Sequence, residues 1–356
     1  MRFFILLCIF LPLSVTCQTL AAMTVRSGVV YKYYRYTNQA SIHVLTLDLT
    51  KVKLVAGRAQ DVGPGLQTVE DIAKHFSAIA GINGGFFRLK DTSSTNLVPA
   101  GVLKIDNNWH GIAYKSRGAI GWDPTSNIVL FDIVQTNSHV EINKTRQPIN
   151  AMNTVLGINR TSLFSDCYGD INTNKSLGLL IVDQKISKIS RDGILDIPQG
   201  AYVYYANGKV QHALNFKIGD SAKVQINVQP QLNPENAQLW QDLPFIMGGG
   251  PLLVSNGEQI KDFSREKLFN DFINGHYART AVGVLANKQV VLAVTEQSFA
   301  PEAVGLTIAE LAEFMHFLGC VAAVNLDGGG SSAMYTTSHN LPSGRPVADA
   351  LLVLER

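Results

Sequence analysis

Alternating apolar and polar positions recur along most of the chain and predict a protein built mainly from β-strands. The stretches SGVVYKYYRY and SIHVLTLDLTKVKLVAGRA show this period near the start and are rich in β-branched residues. A section from about residue 134 to 237 continues it, including LGLLIVDQKISKIS. Within that section Asn207-Gly208 predicts a hairpin and Gly219-Asp220 a further turn.

Two segments have a helical period instead, and each is followed directly by a short strand. In the first, Thr68 precedes Asp71 by three residues, as in a capping box; in the second, Thr307 and Glu310 repeat the arrangement and Gly319 predicts the helix end. The strands AIAGI and CVAAV follow, and they lead into INGG and NLDGGG. Because strand ends are frequent ligand sites in mixed sheets, both glycine clusters are predicted to face a ligand.

Many strands and few helices predict an α+β fold with a large, mixed, mostly antiparallel twisted sheet. Composition is that of a globular protein, with 46% hydrophobic and 16% charged residues, so global disorder is excluded. No Pro/Ser-rich linker or charge run marks a boundary, which favours one elaborated domain. The net charge of +2 is spread along the chain and predicts no nucleic-acid partner.

The first residues, MRFFILLCIFLPLSVTCQTLAA, are typical of a secretory signal peptide over residues 1–21. We expect cleavage near Ala21 or Ala22 and a secreted or periplasmic protein. The apolar run is short for a membrane span, and no later segment reaches about 18 apolar residues, so no integral span is predicted. Lipidation at Cys17 is disfavoured because Thr16 stands where a smaller residue is usual.

Removal of the signal peptide would leave Cys167 and Cys320. They could pair in an oxidising compartment or remain separate buried residues, and the sequence leaves both open. No CxxC or HExxH motif is present, so a structural zinc site has no support.

Four stretches in order, INGGFF, GGGPLLV, ARTAVGV and NLDGGGSSAM, with GLTIAELAEF before the last, resemble the phosphodiester glycosidase family. The resemblance extends from about residue 68 to 354 and is looser over 134–237. It implies a catalytic domain at 68–356 and an enzyme that cleaves a sugar from a sugar phosphodiester. It also implies that the glycine-rich strand ends surround one active site. The alternating pattern at the start of the chain predicts a β-rich segment at 22–67 before the catalytic domain.

Carried over by position, the resemblance implies a site lined by Asn83, Gly249, Gly250, Arg279, Thr280, Asp327, Gly328, Gly329 and Ser331. To these we add the neighbouring candidates Gly84, Phe86, His276 and Glu296. Glu296 follows the apolar strand QVVLAV, where the family often has an acidic residue.

The chemistry suggests roles for the charged candidates. Breaking the sugar C–O bond develops positive charge on the ring and releases a phosphate monoester, which is already a good leaving group. Arg279 is expected to bind phosphate with its planar fork, with a structural ion pair as the alternative. Asp327 could stabilise the oxocarbenium-like transition state, act as nucleophile, bind sugar hydroxyls, or simply occupy a turn. Glu296 is a candidate partner acid or base, or a solvated loop carboxylate.

The uncharged candidates also have two interpretations each. Asn83 could bind substrate hydroxyls or cap a turn, and Ser331 could contact phosphate or cap the next turn. Phe86 could stack on a sugar face or pack in the core. His276 could donate to phosphate, carry a proton, or lie in a surface loop.

The predicted function is hydrolysis of the glycosidic bond in a sugar-1-phosphodiester, with a carbohydrate or glycoconjugate as substrate. In a bacterium this could be an envelope polymer or exopolysaccharide, and in an animal a glycoprotein glycan. The chemistry requires no cofactor, and no metal-ligand set is specified. Two alternatives remain: a serine hydrolase using Ser331, although GGSSA lacks the second glycine of GxSxG and its base would be a distant His339, or a non-catalytic carbohydrate-binding envelope protein.

Overall fold

The computed structural model describes residues 17–36, 40–88, 97–296 and 305–356. Residues 1–16 of the predicted signal peptide lie outside these ranges. The expected cleavage point near Ala21 or Ala22 falls within the first strand, Gln18–Arg26, and stays a prediction.

Strands account for most of the regular structure, and helices are few and short. In chain order the strands β1 to β27 are Gln18–Arg26, Val29–Arg35, Ser41–Leu47, Val52–Arg58, Ala80–Asn83, Leu103–Ile105, Asn108–Gly111, Arg117–Asp123, Ile128–Ile142, Thr145–Pro148, Ala151–Met152, Thr161–Ser165, Asp170–Asn172, Ser176–Val182, Lys185–Ser190, Ile194–Asp196, Tyr202–Asn207, Ala222–Pro230, Phe245–Gly248, Leu252–Ser255, Glu258–Gln259, Thr280–Leu285, Val290–Thr295, Cys320–Asn325, Met334–Thr336, Asn340–Leu341 and Asp349–Glu355. The helices α1 to α5 are Val69–His75, Val210–Ala213, Ala237–Asp242, Asn270–Asn274 and Ile308–Phe317.

Within the described residues the strands form several sheets rather than one. The largest has the order β1-β2-β3-β23-β22-β24-β20-β21, and a second has the order β26-β25-β5-β27-β4. A third, β10-β9-β8-β19-β6-β7 with β18 on β9, and a fourth, β11-β12-β17-β14-β15, hold most of the middle of the chain. Adjacent strands are antiparallel apart from the β11–β12 pair. The predicted α+β class is confirmed.

The sheets enclose a core in which β3, β23, β22 and β24 face β4, β5 and β27. Apolar residues at alternate positions supply it, among them Leu45, Leu292, Val324 and Leu351, all inaccessible to solvent. Because β24 and β5 lie on opposite sides of this core, their C-terminal ends can meet at one edge.

Local signals at the helices are confirmed. The hydroxyl of Thr68 accepts from the N–H of Asp71, and Thr307 and Glu310 form a complete capping box. After α5, Gly319 has a φ of +85°, a conformation that favours glycine and ends the helix.

The hairpin predicted at Asn207-Gly208 is wrong. β17 ends at Asn207, and α2 follows instead of a paired strand. The Asn159 side chain accepts from the N–H of Lys209, and Asn207 accepts from the N–H of Arg160. These side-chain contacts from a distant loop replace the ladder bonds that a hairpin would make.

Cys167 and Cys320 are both free and buried, so the alternative of separate buried residues is confirmed and the two do not form a disulfide. None of the helices among the described residues has the length and apolar character needed to cross a membrane.

Candidate active site

Asp327 lies immediately after β24, where the chain leaves the sheet through three glycines. Its N–H donates to the carbonyl of Gly84 at 3.2 Å, so the two predicted glycine clusters are in contact. Its Oδ1 accepts from the N–H of Gly328 at 2.9 Å, and the residue is 8% exposed. The carboxylate is thus held by its own turn while its second oxygen, Oδ2, faces a cation.

That cation is Arg345, which the sequence analysis did not single out. Its Nη2 lies 3.3 Å from Asp327 Oδ2, and its Nε donates to Ser331 Oγ at 2.8 Å. The guanidinium also stacks over Phe87, 5.3 Å from the ring centroid. With 38% of its side chain exposed, Arg345 can reach a ligand, and the only sequence signal for it was an Arg in the turn-like SGRP.

A second carboxyl group, Asp349 at the start of β27, lies behind the same turn. Its Oδ1 accepts from the N–H of Gly85 at 2.8 Å. A Cβ on Gly84 would lie 1.9 Å from that oxygen, so only glycine fits there. Among the described residues no hydrogen-bond donor reaches Asp349 Oδ2, and the residue is 2% exposed. Little in the sequence marks Asp349 as a site residue, because it is a single Asp at the start of an apolar strand.

Burial shapes the charge state of both carboxyl groups. The pKa of Asp349 is raised to about 7, mainly by burial and also by the nearby Asp327 charge, while the Gly85 N–H and Arg58 act in the opposite direction. Burial also raises the pKa of Asp327 above its ordinary value, against the Ser331 hydroxyl, Arg345 and the Gly328 N–H. A proton held on Asp349 therefore relieves repulsion between two buried carboxylates.

The raised pKa of Asp349 gives a stability prediction. The ordinary value is 3.8 and the folded value is about 7, so folding favours the protonated form and this stabilisation is lost as pH rises between these values. Asp349→Asn retains an oxygen for Gly85 and cannot ionise. Its free energy of unfolding relative to the native protein is expected to rise by up to about 4 kcal/mol from pH 4 to pH 8. Urea unfolding at both pH values measures this, and a constant or falling difference would contradict it.

Asn83 makes the contacts expected of its turn-capping alternative. It is fully buried, its Nδ2 donates to the carbonyl of Asp327 at 2.8 Å, and its Oδ1 accepts from Thr280 Oγ at 2.7 Å and from the Ala333 N–H at 3.1 Å. The amide and Thr280 thus join β5, β22 and the Asp327 turn. These hydrogen bonds hold the backbone of the Asp327 turn in place from the buried side of the site.

Arg279 is also placed in a structural role, because backbone carbonyls occupy its guanidinium. Nε donates to Leu306 at 2.8 Å, and Nη2 donates to Phe272 at 2.8 Å and Gly275 at 2.7 Å. Burial lowers its pKa to about 10, so the group stays charged at neutral pH, and it is 1% exposed. In this arrangement Arg279 ties the loop around α4 to the start of α5, and Arg345 is the cation beside Asp327.

Glu296 and His276 have partners away from Asp327. Glu296 Oε1 lies 2.8 Å from Nε2 of the buried His43, whose Nδ1 contacts the hydroxyl of Tyr31. His276 is exposed and lies 3.3 Å from Glu310 at the first turn of α5. Neither contact involves Asp327 or Arg345.

The remaining candidates lie around the same turns. A Cβ on Gly249 would be 2.1 Å from the carbonyl oxygen of Asn325, and the Gly250 N–H donates to that oxygen at 2.7 Å. The GGG turn therefore presses against the end of β24. Phe86 contacts Phe272 edge-on, with ring centroids 5.9 Å apart.

Ser331 does not have the surroundings of a nucleophile. It is fully buried in the 3₁₀ turn Gly329–Ser331, and its hydroxyl accepts from Arg345. His339, the base that the serine-hydrolase alternative would need, stacks on His43 with centroids 5.4 Å apart. Ser331 therefore orients Arg345.

A sequence model of the phosphodiester glycosidase family matches residues 152–354, more than half of the 356 residues. The chain belongs to the phosphodiester glycosidase family. The match includes Arg279, Asp327, Arg345 and Asp349 but begins after Asn83 and within the section expected to be looser. The predicted family is confirmed, while the predicted extent from about residue 68 stays a prediction.

A mouse relative in this family, N-acetylglucosamine-1-phosphodiester alpha-N-acetylglucosaminidase, is 35% identical over 109 residues. That match covers 28% of this chain and 20% of the mouse protein. A hypothetical protein from Synechocystis has a similar fold, with a TM-score of 0.79 and 20% identity over 95% of this chain and 64% of its own. A candidate exported protein from Burkholderia pseudomallei K96243 has a TM-score of 0.73 and 19% identity, covering 90% and 76% of the two chains. The fold is thus that of these two solved structures.

Proposed function

We propose that this protein hydrolyses the glycosidic bond of a sugar-1-phosphodiester outside the cytosol, in a secreted or periplasmic setting. The observation that carries the proposal is the 3.3 Å contact between Arg345 and Asp327 at the end of β24, in a member of the phosphodiester glycosidase family. Cationic and anionic groups side by side match a substrate with an anionic phosphate next to a ring that becomes cationic. The name of the mouse relative suggests N-acetylglucosamine as one sugar to test.

In the proposed reaction Arg345 turns from Asp327 to two oxygens of the phosphate, using its planar fork. Asp327 then faces the anomeric carbon, where its charge stabilises the oxocarbenium-like transition state. The bond from C1 to the phosphate oxygen breaks, water supplies the new oxygen on C1, and the water proton passes to solvent or to the phosphate. Asp349, buried behind Gly85, positions the turn and contacts no substrate.

Product analysis tests this proposal. We expect purified protein incubated with diesters of several sugar 1-phosphates to release free sugar and an intact phosphate monoester. Incubation in ¹⁸O-labelled water should place the label on the sugar, because the C1–O bond breaks. Sugar 1-phosphate as product, or label on the phosphate, would contradict the proposal and indicate a phosphodiesterase. If the protein binds sugar phosphates but hydrolyses none of the diesters, the result would favour the non-catalytic alternative.

A further inference from the structure

A mainly apolar cavity of about 240 Å³ adjoins the candidate site and has no role in the reaction proposed above. Phe86, Val102, Ala113 and Tyr114 supply most of its apolar lining, and Lys115 and Arg117 add two cations. Gly248 and Gly249 also line it, but Asp327 and Arg345 are not among its described lining residues. The cavity is therefore a neighbour of the carboxylate site and not the same space.

The two spaces share the Gly84–Gly85 turn. On one side of it, Gly85 donates to Asp349 and the carbonyl of Gly84 accepts from Asp327. On the other side, a Cβ on Gly85 would lie 2.6 Å from the carbonyl oxygen of Gly248, a cavity residue. A substrate with its sugar at Asp327 and its phosphate at Arg345 could therefore extend past the turn into the cavity.

We infer that this cavity binds the group esterified to the far side of the phosphate, and that this group is a short alkyl chain or a single aromatic ring. The inference rests on the proposed function. A second sugar is not expected as the group in this cavity, because each buried sugar hydroxyl would need a hydrogen-bond partner that an apolar lining does not supply.

Charge and size agree with this assignment. The Lys115 side chain is exposed at the cavity and can attract the negative phosphate, while Arg117 is fixed by the carbonyls of Ser116 and Glu266. Tyr114 donates its hydroxyl to the carbonyl of Met152 at 3.3 Å, which holds its ring at the cavity. A volume of about 240 Å³ is below the range of about 300–1,000 Å³ found for whole drug-sized ligands, so it suits one ring or a short chain.

Kinetics with matched diesters test the inference. Methyl and benzyl diesters of the same sugar 1-phosphate are both primary alkyl esters, so the phosphate leaving groups are similar. We expect kcat/KM to be about 10- to 100-fold higher for the benzyl diester. Ala100→Leu, which places a larger side chain on the cavity wall, should bring this ratio close to one. The matched control Ala309→Leu, on the exposed face of α5, should keep it.

Binding of the product monoesters separates the two proposals. Isothermal titration with benzyl phosphate and methyl phosphate needs no turnover, and we expect a similar preference for the benzyl compound that Ala100→Leu removes. If this preference appears without hydrolysis of any diester, the cavity assignment stands and the proposed function fails. Equal constants for both aglycones, or a preference for glyceryl or glycosyl aglycones, would overturn the cavity assignment whether or not the enzyme is active.

Discussion

Asp327→Asn is expected to lower kcat for a sugar-1-phosphodiester by about 10³- to 10⁵-fold. The substitution keeps the size of the side chain and an oxygen that can accept from Gly328, but it removes the negative charge that stabilises the cationic ring in the proposed reaction. Burial makes this loss large, because water cannot replace the missing charge at a side chain that is 8% exposed. Steady-state kinetics over a range of substrate concentrations, with circular dichroism to confirm folding, measure the effect.

Asp123→Asn is the matched control for that experiment, since Asp123 ends β8 and its carboxylate accepts from Thr125 and Ser126 in the turn that follows. Its kcat should stay within about twofold of the native value. A folded Asp327→Asn protein with a kcat within tenfold of native would remove Asp327 from the chemistry.

Arg345→Ala should reduce kcat/KM by about 10²- to 10³-fold. The substitution removes the cation that, in the proposed reaction, stabilises the negative charge developing on the leaving phosphate. Arg345→Lys is expected to recover only part of this, since an ammonium cannot make the two parallel hydrogen bonds of a guanidinium. The phosphate contact also predicts weaker binding of inorganic phosphate as a competitive inhibitor in both variants. Inhibition constants and kcat/KM from the same preparations provide the measurement.

The control here is Arg26→Ala on the edge strand β1, which breaks an exposed arginine–carboxylate pair with 3.7 Å from Arg26 Nε to Glu355. It should leave both constants unchanged, because exposed pairs of this kind contribute little. If Arg345→Ala behaves like Arg26→Ala, the phosphate is held elsewhere.

Local sequence signals were sufficient for the elements that carry the site. The two capping motifs and the glycines after AIAGI and CVAAV depend on neighbours three or four residues away, and each has the predicted structure. That the two glycine clusters share one place was implied by the family resemblance and not by these local signals, and the Asp327 N–H does contact the Gly84 carbonyl.

The identity of the cation could not be predicted in the same way. Arg279 and Arg345 both lie in connections between regular elements, and the difference between them is whether distant carbonyls accept from the guanidinium. Those carbonyls belong to loops whose paths depend on tertiary packing, which no local pattern encodes. Asp349 was missed for a related reason, since its importance comes from its contacts with Gly84 and Gly85, which follow β5.

The place of β27 has a consequence for how the protein becomes active. This strand carries Asp349, follows Arg345 closely, and lies between β4 and β5, with Asp349 opposite Arg58. The pairing joins residues 291 positions apart (349 − 58), so its entropic cost is met only late in folding. Until β27 pairs, the sheet that contains β4 and β5 therefore has an unfilled position between these two strands. Activity is expected to emerge only when β27 has entered that gap, because this strand carries Asp349 and fixes the segment that holds Arg345.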